Sequence, residues 1–116
     1  MRRGQRLTRR SDFEHVRTNG VRASDRHFIL GAARNEIETT RFGLAVSRRV
    51  GGAVVRNRVK RRIRAALDSM PFAEGWNVVV SARPAAAEAT YREISESLKR
   101  LGARLGVLAY DSVDHR

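Results

Sequence analysis

Residues 53–70 constrain the fold more than any other part of the chain, because they suit two opposed environments at once. At about 100° per residue, Val55, Val59, Ile63, Ala66, Leu67 and Met70 fall within an arc of roughly 120°. Asn57, Arg58, Lys60, Arg61, Arg62 and Arg64 fill most of the remaining circumference. Such a helix has to lay one side on an apolar layer and hold the other in water or against an anion. Arg56 projects nearest the apolar arc, so its guanidinium must escape at the first turn or meet a partner there. Five arginines occupy the nine positions 56–64, with no Asp or Glu among them. A helix selected only for solubility intersperses carboxylates, which pair favourably one turn away. Leaving them out suggests that the counter-charge arrives on a ligand. The plain alternative is a solvated face whose arginine stems cover apolar surface while their heads stay in water.

The charge is regional as well as local. The chain of 116 residues carries 24 Lys and Arg against 12 Asp and Glu, a formal net charge of +12. Residues 1–67 hold 18 basic and 5 acidic side chains, and residues 68–116 hold 6 and 7, so the excess is confined to the N-terminal part. Nine of the basic residues lie between Glu38 and Asp68, where there is no carboxylate. Self-repulsion of this density costs stability unless a polyanion relieves it. Guanidinium forks match phosphate oxygens bidentately, Asn57 can donate to and accept from a base or a sugar, and Gly51, Gly52 and the helix start offer free amides to an anion.

Apolar residues make up 41% of the sequence, enough for one domain spanning 1–116 with a modest core. The absence of Cys excludes a disulfide framework, a zinc knuckle and a thiol nucleophile. The longest apolar runs, glycine included, span six residues, against the roughly 20 that a membrane helix needs. No signal-peptide apolar region follows the basic start. The expected setting is therefore cytoplasmic, with no membrane partner.

Along the chain, residues 1–10 read as a basic arm. Ser11 and Glu14 form an S-x-x-E capping box that opens a short helix, stopped by Gly20 after Asn19. Residues 21–33 have strand character, clearest at Phe28, Ile29 and Leu30, and can be broken in two. Residues 34–41 read as a loop, and 42–47 as a second long strand pairing antiparallel with the first. Gly51 and Gly52 break the pattern before the helix 53–70, which Pro71 ends. Residues 76–82, centred on Val78, Val79 and Val80, suit a strand covered on both faces. Thr90 and Glu93 make a second capping box, and Ile94, Leu98, Leu101 and Leu105 give the last helix one apolar face. Residues 111–116 read as a frayed tail. The expected fold is an α+β two-layer sandwich in the order α-β-β-β-α-β-α.

The ligand implied by the charge fits RNA better than duplex DNA. There is no helix-turn-helix pair, and the basic helix precedes a strand. With four Phe, two Tyr and one Trp, recognition should rest on shape and backbone, with base stacking limited to positions such as Phe13 or Phe28. Phe28 and Phe42 also suit the core. No protein catalytic group is expected: the basic half offers only Asp12, Glu14, Asp25, Glu36 and Glu38 as acids, and His15, His27 and His115 lie far apart. There is no H-E-x-x-H, G-x-G-x-x-G or P-loop pattern, and no dedicated metal site is expected. The residues thus describe a binding subunit whose chemistry lies elsewhere; an RNA chaperone or ribosomal binder and a free-standing nuclease are the alternatives.

Residues 48–64, Arg-Arg-Val-Gly-Gly-Ala-Val-Val-Arg-Asn-Arg-Val-Lys-Arg-Arg-Ile-Arg, resemble the Arg-Asn-Arg signature of the bacterial ribonuclease P protein subunit. The resemblance extends upstream through Arg6, Leu7, Asp12, Phe13, Gly20, Phe28 and the run Phe42, Gly43, Leu44, Ala45, Val46, Ser47. Downstream it takes in Asn77, Val78, Val79, Val80 and the last helix, so it covers nearly the whole chain. It implies a left-handed βαβ crossover, against the usual right-handed preference. It further implies a ribonucleoprotein that removes the 5′ leader of precursor tRNA endonucleolytically, with no small-molecule substrate. The partners would be a catalytic RNA and precursor tRNA, and Mg²⁺ would be held by the RNA and substrate. By the same resemblance Arg48, Arg49, Arg56, Asn57, Arg58, Lys60, Arg61, Arg62 and Arg64 would face the catalytic RNA, and Arg9, Phe13, Arg17 and Phe28 would meet the leader. Arg58 and Arg61, both on the polar side, are expected to be dispensable for folding. The chain departs from the family at Gly52, often Asn, and at Arg17 and Gly31, commonly aromatic, which shifts leader binding from stacking toward charge.

Overall fold

The strand at residues 76–82 organises the sheet. Val78, Val79 and Val80 give it apolar side chains on both faces, and side chains alternate between faces along a strand, so it gains most at the centre, covered above and below. The computed structural model describes residues 5–109. Part of the basic arm 1–10 and the whole tail 111–116 lie outside the described residues. The elements are α1 (Arg10–Asn19), β1 (Val21–Ser24), β2 (Phe28–Arg34), β3 (Arg41–Ala45), α2 (Ala53–Asp68), β4 (Trp76–Ala82) and α3 (Tyr91–Leu105), with a 3-10 turn at Pro84–Glu88 between the last two. This is the order expected from the sequence.

The strand order is β1-β2-β4-β3. β4 runs antiparallel to β2, with Leu30 opposite Val80, and parallel to β3, with Phe42 opposite Val78. The expected antiparallel pairing of 42–47 with 21–33 is therefore corrected: β3 pairs with β4, and β2 is two strands away. The apolar β4 takes the place between them. The first strand region does break in two, and its halves pair antiparallel as β1 and β2. β3 stops at Ala45 because the chain turns, the amides of Val50 and Gly51 donating to the carbonyls of Ser47 (3.0 Å) and Arg48 (3.1 Å).

One face of the sheet carries the main core. Phe28, Leu30, Val78 and Val80 meet Val59, Ile63, Ala66 and Leu67 of α2 and Ile94, Leu98 and Leu101 of α3. These are the positions that both helical periodicities predict. Full burial of each such side chain contributes about 1.5–3 kcal/mol. α2 ends at Asp68, two residues short of the expected Met70, whose amide closes the last turn on the Leu67 carbonyl at 3.1 Å before Pro71. α1 covers part of the opposite face, where glycines make room. A Cβ on Gly43 would lie 2.5 Å from Phe13 Cζ, and one on Gly31 would lie 3.1 Å from Val16 Cγ1.

The two capping boxes differ. Thr90 and Glu93 form theirs: the Glu93 amide donates to Thr90 Oγ1 (3.1 Å) and the Thr90 amide to Glu93 Oε1 (2.9 Å). Ser11 and Glu14 do not, because α1 starts two residues earlier and places Arg9 at the cap, with no side-chain bond there. Glu14 binds Arg17 instead. Gly20 ends α1 in an extended conformation, and what demands glycine there is proximity, since a Cβ would lie 2.5 Å from the Ala32 carbonyl oxygen.

Asp25 fixes the β1–β2 turn to α3. Its Oδ1 accepts from the amides of His27 (2.9 Å) and Phe28 (3.0 Å), and its Oδ2 from the Ser97 hydroxyl and Arg100 Nη2 (3.0 Å). Burial raises the Asp25 pKa, but the Ser97 hydroxyl, the two amides and Arg100 together outweigh it and leave the carboxyl below its ordinary 3.8. A lowered folded-state value means that this stabilisation is complete above the ordinary carboxylate range and is lost as pH falls through the lowered value. Asp25→Ala is expected to destabilise the protein by about 1–3 kcal/mol at neutral pH. It should also flatten the acid limb of a urea-denaturation profile measured from pH 6 down to about 2; a variant whose profile runs parallel to the parent's would contradict this.

Candidate nucleic-acid interface

α2 is held by its apolar stripe, and that fixes where its cations go. Gly51 leads into it at a close approach, a Cβ there lying 2.9 Å from Val55 Cβ. Arg48 and Arg49 are exposed on the preceding turn, with the Arg49 amide donating to Ser47 Oγ (3.3 Å). Asn57 and Arg61 are exposed, whereas Arg56, Arg58, Lys60, Arg62 and Arg64 are half-buried. The Nε atoms of Arg56, Arg58 and Arg64 are buried without a hydrogen-bond partner. Among the described residues the ion pairs are Glu14–Arg17, Asp12–Arg41, Glu96–Arg92 and Asp25–Arg100. None involves an α2 arginine, so the helix presents its charge without a counter-charge from these acids.

Two of the arginines do more than point outward. Arg58 Nη2 donates to the Ala87 carbonyl (3.0 Å) and Arg62 Nη1 to the Ala89 carbonyl (2.7 Å), tying α2 to the 3-10 turn. The expectation that Arg58 has no part in the fold is thereby corrected. Each guanidinium has five N–H donors in a fixed fork, so one bond to a carbonyl leaves charge and donors for a ligand. No side-chain pattern signals these contacts, because the partners are backbone atoms 29 and 27 residues away.

On the far face of the sheet a cleft of about 250 Å³ runs between α1 and the strands. Phe13, Arg17 and Gly31 line it, together with Val16, Arg22, Ile29 and Val79. Phe13 is half-buried, and Arg17 is exposed but engaged, its Nη2 lying 2.6 Å from Glu14 Oε1. That hydrogen bond lowers the Glu14 pKa and raises that of Arg17. Arg9 is exposed at the start of α1, outside the lining of the cleft. Phe28 is corrected: it is 0% exposed in the main core, on the β2 face shared with Leu30, and cannot meet a ligand in the cleft. Its neighbour Ile29 faces the cleft instead. The one-residue alternation of a strand carries that signal, but only once the direction of the core is known.

His15 lies against Asn19 on the surface of α1, its Nδ1 3.1 Å from Asn19 Nδ2. Among the described residues no three His, Asp or Glu gather as a metal site, and no helix is long and apolar enough to cross a membrane. The contrast between clamped and free arginines is measurable. Arg62→Ala should lower stability by about 1 kcal/mol in urea denaturation, and Arg58→Ala by a similar amount. Arg61→Ala should leave stability within about 0.5 kcal/mol of the parent. Equal effects at all three positions would remove the clamp.

Comparison with known proteins gives a consistent result. The sequence profile of the family described as Ribonuclease P matches residues 1–106. The ribonuclease P protein component of Exiguobacterium sibiricum is 37% identical over 110 residues, covering 92% of this chain and 95% of the relative. That of Roseiflexus castenholzii is 38% identical over 111 residues, covering 93% and 91%. Among solved structures, the RNase P protein of Staphylococcus aureus superposes with a TM-score of 0.82 at 29% identity, over 90% of this chain and 98% of the other. The RNase P protein of Thermotoga maritima does so with 0.74 at 25% identity, over 82% and 92%.

Proposed function

The chain belongs to the ribonuclease P protein family, the protein component of the tRNA-processing ribonuclease, and on that premise we propose how its two surfaces are used. The cationic face of α2, with Arg48 and Arg49 on the turn before it, binds the catalytic RNA. The cleft between α1 and the sheet receives the 5′ leader of precursor tRNA, and the protein thereby promotes endonucleolytic removal of the leader in the cytoplasm. The observation that carries this reading is the run of α2 arginines that meet no carboxylate among the described ion pairs. Phosphates supply the missing charge, and Asn57, exposed among the arginines, reaches a sugar or base edge.

In the cleft, Phe13 offers a half-buried ring against which a leader base can stack. Arg9, Arg17 and Arg22 offer charge to its backbone. Because Gly31 adds no aromatic ring, the leader is held more by phosphate contacts than by stacking.

In this reading catalysis belongs to the RNA. Mg²⁺ is assigned to the RNA and the substrate, whose phosphate oxygens are the hard ligands this ion prefers. Bound there, the ion would supply an activated water and offset charge on the cleaved phosphate. The protein contributes affinity and position: it fixes the RNA through α2 and the substrate's leader through the cleft.

The test is cleavage of precursor tRNA by the protein alone, by the RNA alone at low Mg²⁺, and by the two together. Cleavage is expected only in the combined reaction. Cleavage by the protein alone, or no gain on adding it to the RNA, would overturn the reading. In the combined complex Phe13→Ala should weaken precursor tRNA binding about five- to tenfold and leave mature tRNA binding unchanged. Equal loss for both substrates would place Phe13 outside the leader path.

A further inference from the structure

The arginine face of α2 ends at a second cavity that neither surface above includes. Ala87 and Ala89, whose carbonyls hold Arg58 and Arg62, also line a cleft of about 470 Å³ at the 3-10 turn. Its opposite wall is the β1–β2 turn at Arg26 and His27. RNA seated on α2 therefore extends to the rim of this cleft.

The lining is mixed. Arg26 and His27 face Glu88 and Glu93, and Pro84 adds an apolar wall. A phosphate suits this poorly, because both carboxylates would repel it. Glu93 is held charged, the Thr90 amide lowering its pKa. The His27 ring is half-buried and lines the cleft. An unpaired nucleobase suits every element of the lining. It carries donors and acceptors along its edges for a carboxylate and a guanidinium, and a flat face for an imidazole or a proline. Bases splayed out of loops and bulges are the parts of an RNA that proteins read in this way, and the volume lies in the range of small-ligand pockets.

We infer that this cleft receives an unpaired nucleobase of the RNA docked on α2, with Glu88 meeting its edge and the His27 ring its face. The inference rests on the reading of α2 as the RNA-binding face. The backbone of His27 is fixed independently of its ring, its amide by Asp25 Oδ1 (2.9 Å) and its carbonyl by the Arg83 amide (2.8 Å). Truncating the ring therefore leaves the turn in place.

The experiment measures binding of the ribonuclease P RNA transcript to full-length parent, His27→Ala, Glu88→Ala and Arg61→Ala proteins over a range of salt. Base-selective chemical modification of the RNA is followed in parallel. His27→Ala and Glu88→Ala are each expected to weaken binding about tenfold, with the slope of log affinity against log salt unchanged, and to re-expose one base that the parent protects. Arg61→Ala should weaken binding and reduce the slope, as loss of a phosphate contact does. Tighter binding by Glu88→Ala would mean that a phosphate lies there and would overturn the inference. So would unchanged binding by both cleft variants while Arg61→Ala weakens. No loss in any of the three overturns the reading of α2 as well. Should His27→Ala fail to fold, Glu88→Ala, an exposed side chain on the rim, decides the matter.

Discussion

The apolar character of β4 on both faces is the constraint on which the rest of the structure depends. Val78 and Val80 are sealed on one side by α2 and α3, and Val79 lies on the other beneath α1. A strand with apolar side chains above and below cannot sit at an edge without exposing one set to water. Its central place puts β2 and β3 on either side of it, leaves β1 outside β2, and makes β3, α2 and β4 a parallel crossover. It also explains the glycines at 31 and 43. Both lie beside β4 on the α1 face, where Phe13 comes too close for a Cβ on Gly43 and Val16 leaves little room for one on Gly31.

The same constraint shapes α2. Its apolar stripe is committed to the sheet through Val59, Ile63, Ala66 and Leu67, so every cation between those residues is driven to the outside or the rim. The resulting charge has two fates. Arg58 and Arg62 each spend one donor on a carbonyl of the 3-10 turn and help dock it; Arg48, Arg49 and Arg61 remain exposed. One helix therefore fastens the segment between β4 and α3 and presents the surface to which RNA binding is assigned. The mutual repulsion along it is a standing cost that a bound polyanion removes.

Much of this was legible in the sequence, for identifiable reasons. Periodicity is a local property, so the arc of α2, the buried face of α3 and the Thr90–Glu93 box could all be read directly, and the element order followed. The pairing of β3 was not, because insertion of β4 between β2 and β3 is decided by contacts some 35 residues apart in the chain. Ser11 and Glu14 match a capping motif, yet a start two residues earlier moved them into the helix. Phe28 looked available for stacking because hydropathy does not say which side of β2 faces the core. The arginine clamps have carbonyl partners, and those leave no trace in side-chain composition. In the candidate site, residue type was readable and partner was not.

The family match extends over most of the chain, and the use of α2 is the claim that gives it a physical mechanism. Counterion release tests that claim most directly. The affinity of the catalytic RNA is measured as a function of salt for the parent protein and for a variant with Arg48, Arg49 and Arg61 all replaced by Ala. The parent's log affinity should fall linearly with log salt, and the variant's slope should be shallower by about 2–3 at roughly 0.7–0.9 per lost phosphate contact, with melting temperature unchanged. A parent affinity indifferent to salt, or a variant with the parent's slope, would contradict the account.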